Sequence, residues 1–304
     1  QSFGTPAADP HLAKTLPRPT AGGTTYTFTL RRGIRYSTGH LVRASDFRRG
    51  IQRQLSFGAT PGYYEVILGG SACIKHPNRC DLSDGIITDD AAGTVTFRLV
   101  QADPDFLYKL AHTLASPAPP GAPDGVISRA PFLPGTGPYM ISQVRPNKSV
   151  TLVRNPYFRQ WSYAAQPTGY PSVIRYEQVK SQSAQESAVT AGRADLATLW
   201  YGGDQSLAVR YPARVHSGLK LGTSNVSLNT RQPPFTNLKA RQAVSYAIDR
   251  ARIIRLYHLA AGQATAACQM LPHDFPGHQG YCPYTTGAGD GGWHGPDMDK
   301  ALRL

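Results

Sequence analysis

The chain has little charge, few cysteines and no long apolar run, and each shortage excludes a class of protein. Only 17% of its 304 residues are charged, whereas 40% are hydrophobic. This is the composition of a globular protein rather than a disordered one, and the length allows two or three domains with real cores. No stretch of about 18 apolar residues exists, so the sequence predicts no membrane-spanning helix. Residues 1–10 lack a basic start and an apolar core, so they are not a signal peptide.

None of the four cysteines has the C-x-x-C spacing of a metal or redox site. They fall instead as two local pairs, Cys73 with Cys80 and Cys268 with Cys282, around loops that contain proline or glycine. We expect two loop-closing disulfides, which persist outside the reducing cytosol. Four cysteines allow two other pairings, and buried free thiols are the alternative to any disulfide.

The formal net charge of +13 raises the question of a nucleic-acid partner. One dense group of arginines exists, but it mixes strand, turn and helix positions and has no aromatic stacking platform or zinc spacing beside it. We therefore interpret it as a solvated basic surface and expect no nucleic-acid partner. The group comprises Arg31, Arg32, Arg35, Arg43, Arg48, Arg49 and Arg53.

Catalytic and metal motifs are also missing. No Gly-x-Ser-x-Gly elbow is present. Residues 134–139 contain glycines and prolines, but no Gly-Lys-Ser/Thr follows them, which favours a structural corner over a phosphate loop. His273 and His278 flank Asp274, yet the prolines around them exclude a helix that would align metal ligands on one face. The sequence therefore predicts no catalytic constellation, no metal and no cofactor.

Hydrophobic periodicity predicts the elements of the first half. Apolar and polar residues alternate in 25–30 and in 94–99, which indicates half-buried strands. Between them, Ser45 resembles a helix N-cap, and Phe47, Ile51 and Leu55 follow it at four-residue spacing. Residues 103–114 suggest a second helix with a capped start.

A hairpin follows, with strands at 139–144 and 149–154 around a Pro146-Asn147 turn, and 173–179 is predicted as a further strand. Ser183 and Glu186 have the spacing of a capping box for a helix that Gly192 would end. Residues 195–199 are then predicted as a strand.

Residues 224–229 alternate as another strand, and Pro233-Pro234 removes two backbone donors and ends it. Asn237 is the predicted N-cap of a helix whose apolar stripe continues to Ala251.

These patterns carry a resemblance. The segment SLNTRQPPFTNLKARQAVSYAIDR resembles the start of the third domain in extracellular solute-binding proteins of the peptide/nickel class, family five. TYTFTLRRGIRYSTGHLVRASDF, PGTGPY followed by RNPYF, AGRADL and PDMDKA are similar to further signatures of that family, and they occur in the family's order. The likeness runs from about residue 9 to residue 304.

The resemblance implies a mixed α/β (α+β) fold, with a periplasmic-binding-protein-like pair of lobes and an extra small domain. It places the small domain, second in the family, at 1–135, part of the first lobe at 136–222, and the start of the second lobe, the family's third domain, at 223–304. Family members continue on both sides of these segments, so an internal fragment, incomplete at both ends, is expected.

The resemblance also implies a carrier rather than an enzyme. Such proteins capture a peptide-like solute in an inter-lobe cleft and deliver it to the permease of an ABC importer. We expect a monomer outside the cytoplasmic membrane, either lipid-anchored at the cell surface or periplasmic. A secreted hydrolase is the alternative, as is a carrier of a nickel chelate or an oligosaccharide.

Three residues are candidates for solute contact. Trp200 and Tyr201 end the predicted strand at 195–199 beside two glycines, and their rings offer large contact area with a polar tip. Packing of Trp200 under its loop as core is the alternative. Asn229 could present its amide to a ligand backbone, or it could satisfy the turn before Pro233.

Overall fold

The structure is a computed structural model that describes residues 10–57, 62–122, 132–163, 166–198, 205–216, 222–257, 264–272, 275 and 277–304. The contacts divide the chain into two compact units, Gln1–Gln178 and Val179–Leu304. Each unit is described by itself below. The three family domains at 1–135, 136–222 and 223–304 stay a prediction.

The first unit is built on a three-stranded antiparallel sheet. Its strands are β1 (Thr25–Thr29), β2 (Ile86–Asp89) and β3 (Thr94–Arg98), in the order β1-β3-β2. Tyr26 lies opposite Phe97 in the register, so both side chains point to the same face, where they are buried. The predicted alternation in β1 and β3 is confirmed.

Helix α1 (Ala44–Ser56) covers that face, followed in the chain by α2 (Gly70–Lys75) and α3 (Phe106–Ala111). Ile51 and Leu55 of α1 are 0% and 1% exposed, as their four-residue spacing predicts. Short 3₁₀ turns lie at 21–23, 77–79 and 113–115.

The predicted N-cap of α1 was wrong. The helix begins at Ala44, and Arg43 holds the cap position. Ser45 lies inside the first turn, where its amide and hydroxyl donate to the carboxylate of Asp90 at 2.8 and 2.9 Å. Asp46 takes over the capping role, because its Oδ2 accepts the Arg43 amide at 3.0 Å.

A second antiparallel sheet completes the first unit. It consists of β4 (Tyr139–Arg145), β5 (Ser149–Arg154) and β6 (Val173–Glu177), in the order β4-β5-β6. The predicted hairpin is confirmed, with Asn147 in the left-handed region (φ +56°) at its tip.

The second unit contains helices α4 (Gln182–Thr190), α5 (Gln205–Arg210), α6 (Leu238–Ala247), α7 (Arg250–Leu256) and α8 (Met298–Arg303). Helices α6 and α8 pack together, and the Asp297 amide donates to the Tyr246 carbonyl at 2.9 Å. Tyr246 is the buried residue of α6.

Helix α4 is capped two residues earlier than predicted. Ser181, not Ser183, accepts the Ala184 amide, and Glu186 pairs with Gln182 instead of closing a capping box. At the other end, Gly192 has φ +70°, and the Arg193 amide donates to the Ala188 carbonyl at 2.8 Å. This is a Schellman ending, as a glycine after the last helical turn predicts.

Two predicted strands are absent from the described residues. Residues 195–198 and 224–229 are irregular, because neither stretch pairs with a strand within the described part of the chain. The predicted helix from Asn237 does form, with the Asn237 side chain accepting the Lys239 amide, but it ends at Ala247. Ala251 belongs to α7, which Asp249 caps by accepting the Arg252 amide at 2.8 Å.

Both local disulfides are present, Cys73–Cys80 and Cys268–Cys282. Cys73 is 1% exposed and belongs to the core of the first unit. Among the helices of the described residues, none combines the length and the apolarity that a membrane crossing requires.

Candidate functional site

The residues predicted to contact solute are only partly described. Trp200 and Tyr201 lie outside the described residues. Asn229 is described, and its Oδ1 accepts the Arg231 amide at 3.1 Å while its carbonyl accepts the Gln232 amide at 3.2 Å. The side-chain oxygen thus forms an Asx turn before Pro233. A role for Asn229 in solute binding stays a prediction.

Helix α6 fixes the chain that follows this turn. The guanidinium of Arg241 donates to the carbonyls of Phe235 and Thr236 at 2.6 and 3.2 Å. Since Asn237 also caps the helix, the segment between the Pro233-Pro234 pair and α6 is held at both ends. Asn229 is therefore presented on a turn next to an anchored segment.

A buried hydroxyl organises the last loop of the second unit. Thr285 is 3% exposed, and its Oγ1 accepts the amides of His294 and Gly295 at 2.8 and 3.1 Å while donating to the Gly295 carbonyl. Tyr284 next to it packs edge-on against Tyr246, with ring centroids 5.1 Å apart. This loop is a packed structural unit.

The same loop carries a hydrogen bond between His294 and Asp290, with Nε2 and Oδ1 2.8 Å apart. The Gly292 amide and the imidazole hold the pKa of the Asp290 carboxyl below its usual range, the amide being the larger cause. Both side chains are exposed, and no hydroxyl or thiol of the described residues is hydrogen-bonded to that imidazole. The pair therefore lacks the nucleophile that a catalytic dyad activates.

The histidines singled out in the sequence add no metal centre to the described residues. His273 and Asp274 lie outside them, and His278 donates its backbone amide to the Phe275 carbonyl. No group of three or more potential metal ligands occurs within the described part of the chain.

The motif at 134–139 forms a corner with the segment that follows β5. Asn155 is 5% exposed. Its side-chain Nδ2 donates to the Gly137 carbonyl at 2.8 Å, and its Oδ1 accepts the Tyr157 backbone amide at 3.0 Å. A Cβ on Gly39 (φ +87°) would lie 2.9 Å from the Tyr157 ring. The motif thus forms a structural corner that Asn155 holds in place.

The first unit contains a cavity of about 520 Å³ between its first sheet, α1, α3 and residues 134–136. Its wall is mainly apolar and includes three phenylalanine rings, those of Phe28, Phe47 and Phe97. Its polar groups are two histidines, one tyrosine, two threonines and a serine: His11, His112, Tyr36, Thr113, Thr136 and Ser116.

A buried polar cluster stands beside this cavity. The Tyr36 hydroxyl donates to Asp46 Oδ2 at 2.9 Å, and Arg49 pairs with Asp46 Oδ1 at 2.7 Å. Burial, and then the Asp46 charge, raise the pKa of Tyr36 well above its usual range. Arg49 also donates to the Ala118 carbonyl at 2.9 Å, so the cluster ties α1 to the chain beyond α3.

The described residues thus combine two antiparallel sheets and several helices with a proline-glycine corner that is held by side-chain hydrogen bonds. A family model described as "Bacterial extracellular solute-binding proteins, family 5 Middle" matches residues 7–304. The chain belongs to this family, as its sequence motifs predict.

Several relatives with curated names are glutathione-binding proteins. The chain is similar to the glutathione-binding protein GsiB of Salmonella choleraesuis (strain SC-B67), with 25% identity over 268 residues, which is 86% of this chain and 48% of the relative. GsiB of Escherichia coli (strain K12) matches with 25% identity over 268 residues and the same coverage, 86% and 48%. The chain thus spans about half the length of the curated relatives that it matches.

Solved structures share the fold. The clavulanic acid biosynthesis oligopeptide binding protein 2 superposes with a TM-score of 0.74 at 24% identity, covering 97% of this chain and 54% of that one. The murein tripeptide binding protein MppA of Escherichia coli gives a TM-score of 0.70 at 22% identity, with coverage of 90% and 53%. These likenesses confirm a mixed α/β, periplasmic-binding-protein-like fold.

Proposed function

We propose that the protein is a solute-binding component of an ABC importer that captures a peptide-like solute and delivers it to the membrane permease. The observation that carries the proposal is the family match over residues 7–304. Relatives named for glutathione, for a murein tripeptide and for oligopeptides agree on short peptides as ligands. The protein would act outside the cytoplasmic membrane, either lipid-anchored or periplasmic, as a monomer without a cofactor.

In this proposal, Trp200, Tyr201 and Asn229 contact the solute in a cleft between two lobes. An indole and a phenol supply apolar area, and an amide supplies a hydrogen bond to a peptide backbone. No bond is made or broken. Closure of the cleft is driven by contacts that exist only in the closed state.

The test is binding of defined peptides to the intact protein. Glutathione, a tripeptide and a pentapeptide are titrated by calorimetry, with nickel-histidine chelate and an oligosaccharide as the competing solute classes. A ligand at one hundred times its Kd should add about 2.7 kcal/mol to the free energy of unfolding. Stabilisation by the chelate or the sugar but by none of the peptides would reassign the solute.

Two variants test the proposed contacts. Trp200→Ala should lower peptide affinity about tenfold or more, because a buried indole is a typical hot spot, whereas Tyr163→Ala, at a tyrosine 78% exposed, serves as the control. Asn229→Asp keeps the oxygen that accepts the Arg231 amide but removes the amide donor. If Asn229 contacts the peptide, this change lowers affinity and leaves the melting temperature unchanged.

The hydrolase alternative is tested in the same samples. Mass spectrometry of each peptide after prolonged incubation should return the intact peptide. Turnover that a single serine or histidine substitution abolishes would replace a carrier by an enzyme.

A further inference from the structure

The cavity of the first unit is large enough to hold a ligand. Its volume of about 520 Å³ lies within the range of small-molecule pockets, about 300–1,000 Å³. An engineered apolar cavity of about 150 Å³ already binds benzene. Phe28 and Phe47 pack against the buried core yet are only partly buried themselves. The space is therefore bordered by aromatic surface that a ligand would cover.

The charge of the wall selects the chemistry of the ligand. None of the described residues that line the cavity is an aspartate, glutamate, lysine or arginine. The neighbouring Asp46 carboxylate is already occupied by Tyr36, by the Arg43 amide and by Arg49. A charged group of either sign would therefore be costly to bury among the phenyl rings, so the charge of a ligand has to lie at the solvent-exposed His112.

The hydrogen bonds of His112, one of the two histidines in the wall, show which of its ring nitrogens can donate. His112 Nδ1 accepts the Leu114 amide at 3.3 Å, so the neutral ring carries its hydrogen on Nε2. No described residue accepts a hydrogen bond from that Nε2. His11, by contrast, places its Nε2 against the side-chain oxygen of Gln166. The wall thus combines three phenyl rings with an imidazole N–H that can meet an anionic oxygen.

We propose that this cavity binds a small aromatic carboxylic acid, with the ring against Phe28 and Phe47 and the carboxylate at His112 Nε2. Edge-to-face packing favours an aromatic body, and a hydrogen bond to an ionised acceptor is roughly twice as strong as a neutral one. The site is formed by residues other than those proposed to contact the peptide, so the two sites can be tested separately.

The probe is 2-naphthoate, and 2-naphthalenemethanol is its uncharged counterpart. Both are titrated into the purified protein and followed by NMR. A Kd of about 1 mM or tighter is expected for naphthoate from the binding free energy per non-hydrogen atom that is typical of drug-sized ligands. Contacts between naphthoate protons and the rings of Phe28 and Phe47 should appear as intermolecular nuclear Overhauser effects.

One variant tests the space for the aromatic ring of the ligand, and another tests the contact with its carboxylate. Ala111→Trp places an indole at the cavity wall and should abolish binding, whereas Tyr108→Trp is the matched control, because Tyr108 lies on α3, is 53% exposed and does not line the cavity. His112→Asn keeps an acceptor for the Leu114 amide but replaces the ring Nε2 donor by the N–H groups of a shorter side chain. It should weaken naphthoate about tenfold and leave the alcohol unchanged.

Three results would overturn the proposal. One is the absence of saturable naphthoate binding to the unaltered protein, and another is Overhauser contacts with residues elsewhere. The third is equal binding of the acid and the alcohol with no effect of His112→Asn, which would refute the assignment to carboxylic acids. None of these outcomes bears on peptide binding, which is measured independently.

Discussion

The hydrogen bond from Tyr36 to Asp46 offers a direct test of what stabilises the first unit. Both side chains are buried, with 1% and 0% of their surface exposed, and the two oxygens lie 2.9 Å apart. Tyr36→Phe removes the hydroxyl and keeps the ring, so no large cavity forms. A hydrogen bond to a charged group contributes about 1.5–3 kcal/mol. The Arg43 amide and Arg49 still satisfy the carboxylate, so we expect a loss of about 2 kcal/mol.

Asp46→Ala should cost more, about 3–5 kcal/mol, since it removes the cap of α1 and leaves the Tyr36 hydroxyl without its acceptor. Unfolding by urea, followed by circular dichroism, measures both losses. Tyr108→Phe, at an exposed tyrosine of α3, should change stability by less than about 0.5 kcal/mol. If Tyr36→Phe were as stable as the unaltered protein, the hydrogen bond would contribute nothing and the reasoning would be refuted.

The hydrogen bond between Tyr36 and Asp46 should also make the stability of the protein depend on pH above about pH 10. The raised pKa of Tyr36 means that the folded state keeps this proton after the unfolded chain, with an ordinary value of 10.0, has lost it. Its contribution is therefore complete below about pH 10 and is lost as pH rises further, at ~1.4 kcal/mol per pH unit. Tyr36→Phe should lose less stability between pH 10 and 11 than the unaltered protein. Identical slopes would contradict the assignment.

Three further predictions concern separate features. Replacing Cys73 and Cys80 together by serine should lower the free energy of unfolding by about 2–3 kcal/mol in a melt without reductant, and added reductant should bring the unaltered protein toward the same melting temperature. Thr285→Val leaves two backbone amides without their acceptor and should cost about 2–4 kcal/mol, whereas Thr285→Ser should melt nearly as the unaltered protein does. Arg154→Lys cannot reproduce the fork that donates to three successive carbonyls at 168–170 and should increase hydrogen exchange there, and unchanged exchange would show that the fork orders nothing.

The elements that local periodicity encodes were predictable. The strands β1 and β3, the hairpin of β4 and β5, and the buried face of α1 follow from alternation, from four-residue spacing and from turn residues. Strand β2 (Ile86–Asp89) was missed, because four residues without alternation carry little periodic signal. It is formed by pairing with β3, a neighbour that only the folded sheet supplies.

Two helix N-caps were predicted at the wrong residue. Ser45 is a plausible cap by type, but Asp90, 45 positions away, takes its amide and hydroxyl. At α4, both Ser181 and Ser183 suit a cap, and the sequence does not distinguish which one accepts the Ala184 amide. The cavity was equally hidden, since its wall joins side chains as distant in sequence as His11 and Thr136.

The sequence motifs that identify the family carry little information about which solute is bound. The glycine-proline corner and the Arg-Asn-Pro run are recognisable because each position is constrained by a backbone partner: Asn155 bonds to Gly137 and Tyr157, and Gly39 leaves room for the Tyr157 ring. Such constraints are independent of what is bound, so relatives named for glutathione and for oligopeptides can share one scaffold. We expect selectivity to lie in side chains outside this corner. If Trp200 and Tyr201 contact the solute, as proposed, substitutions there should change the bound solute more than they change the melting temperature of the free protein.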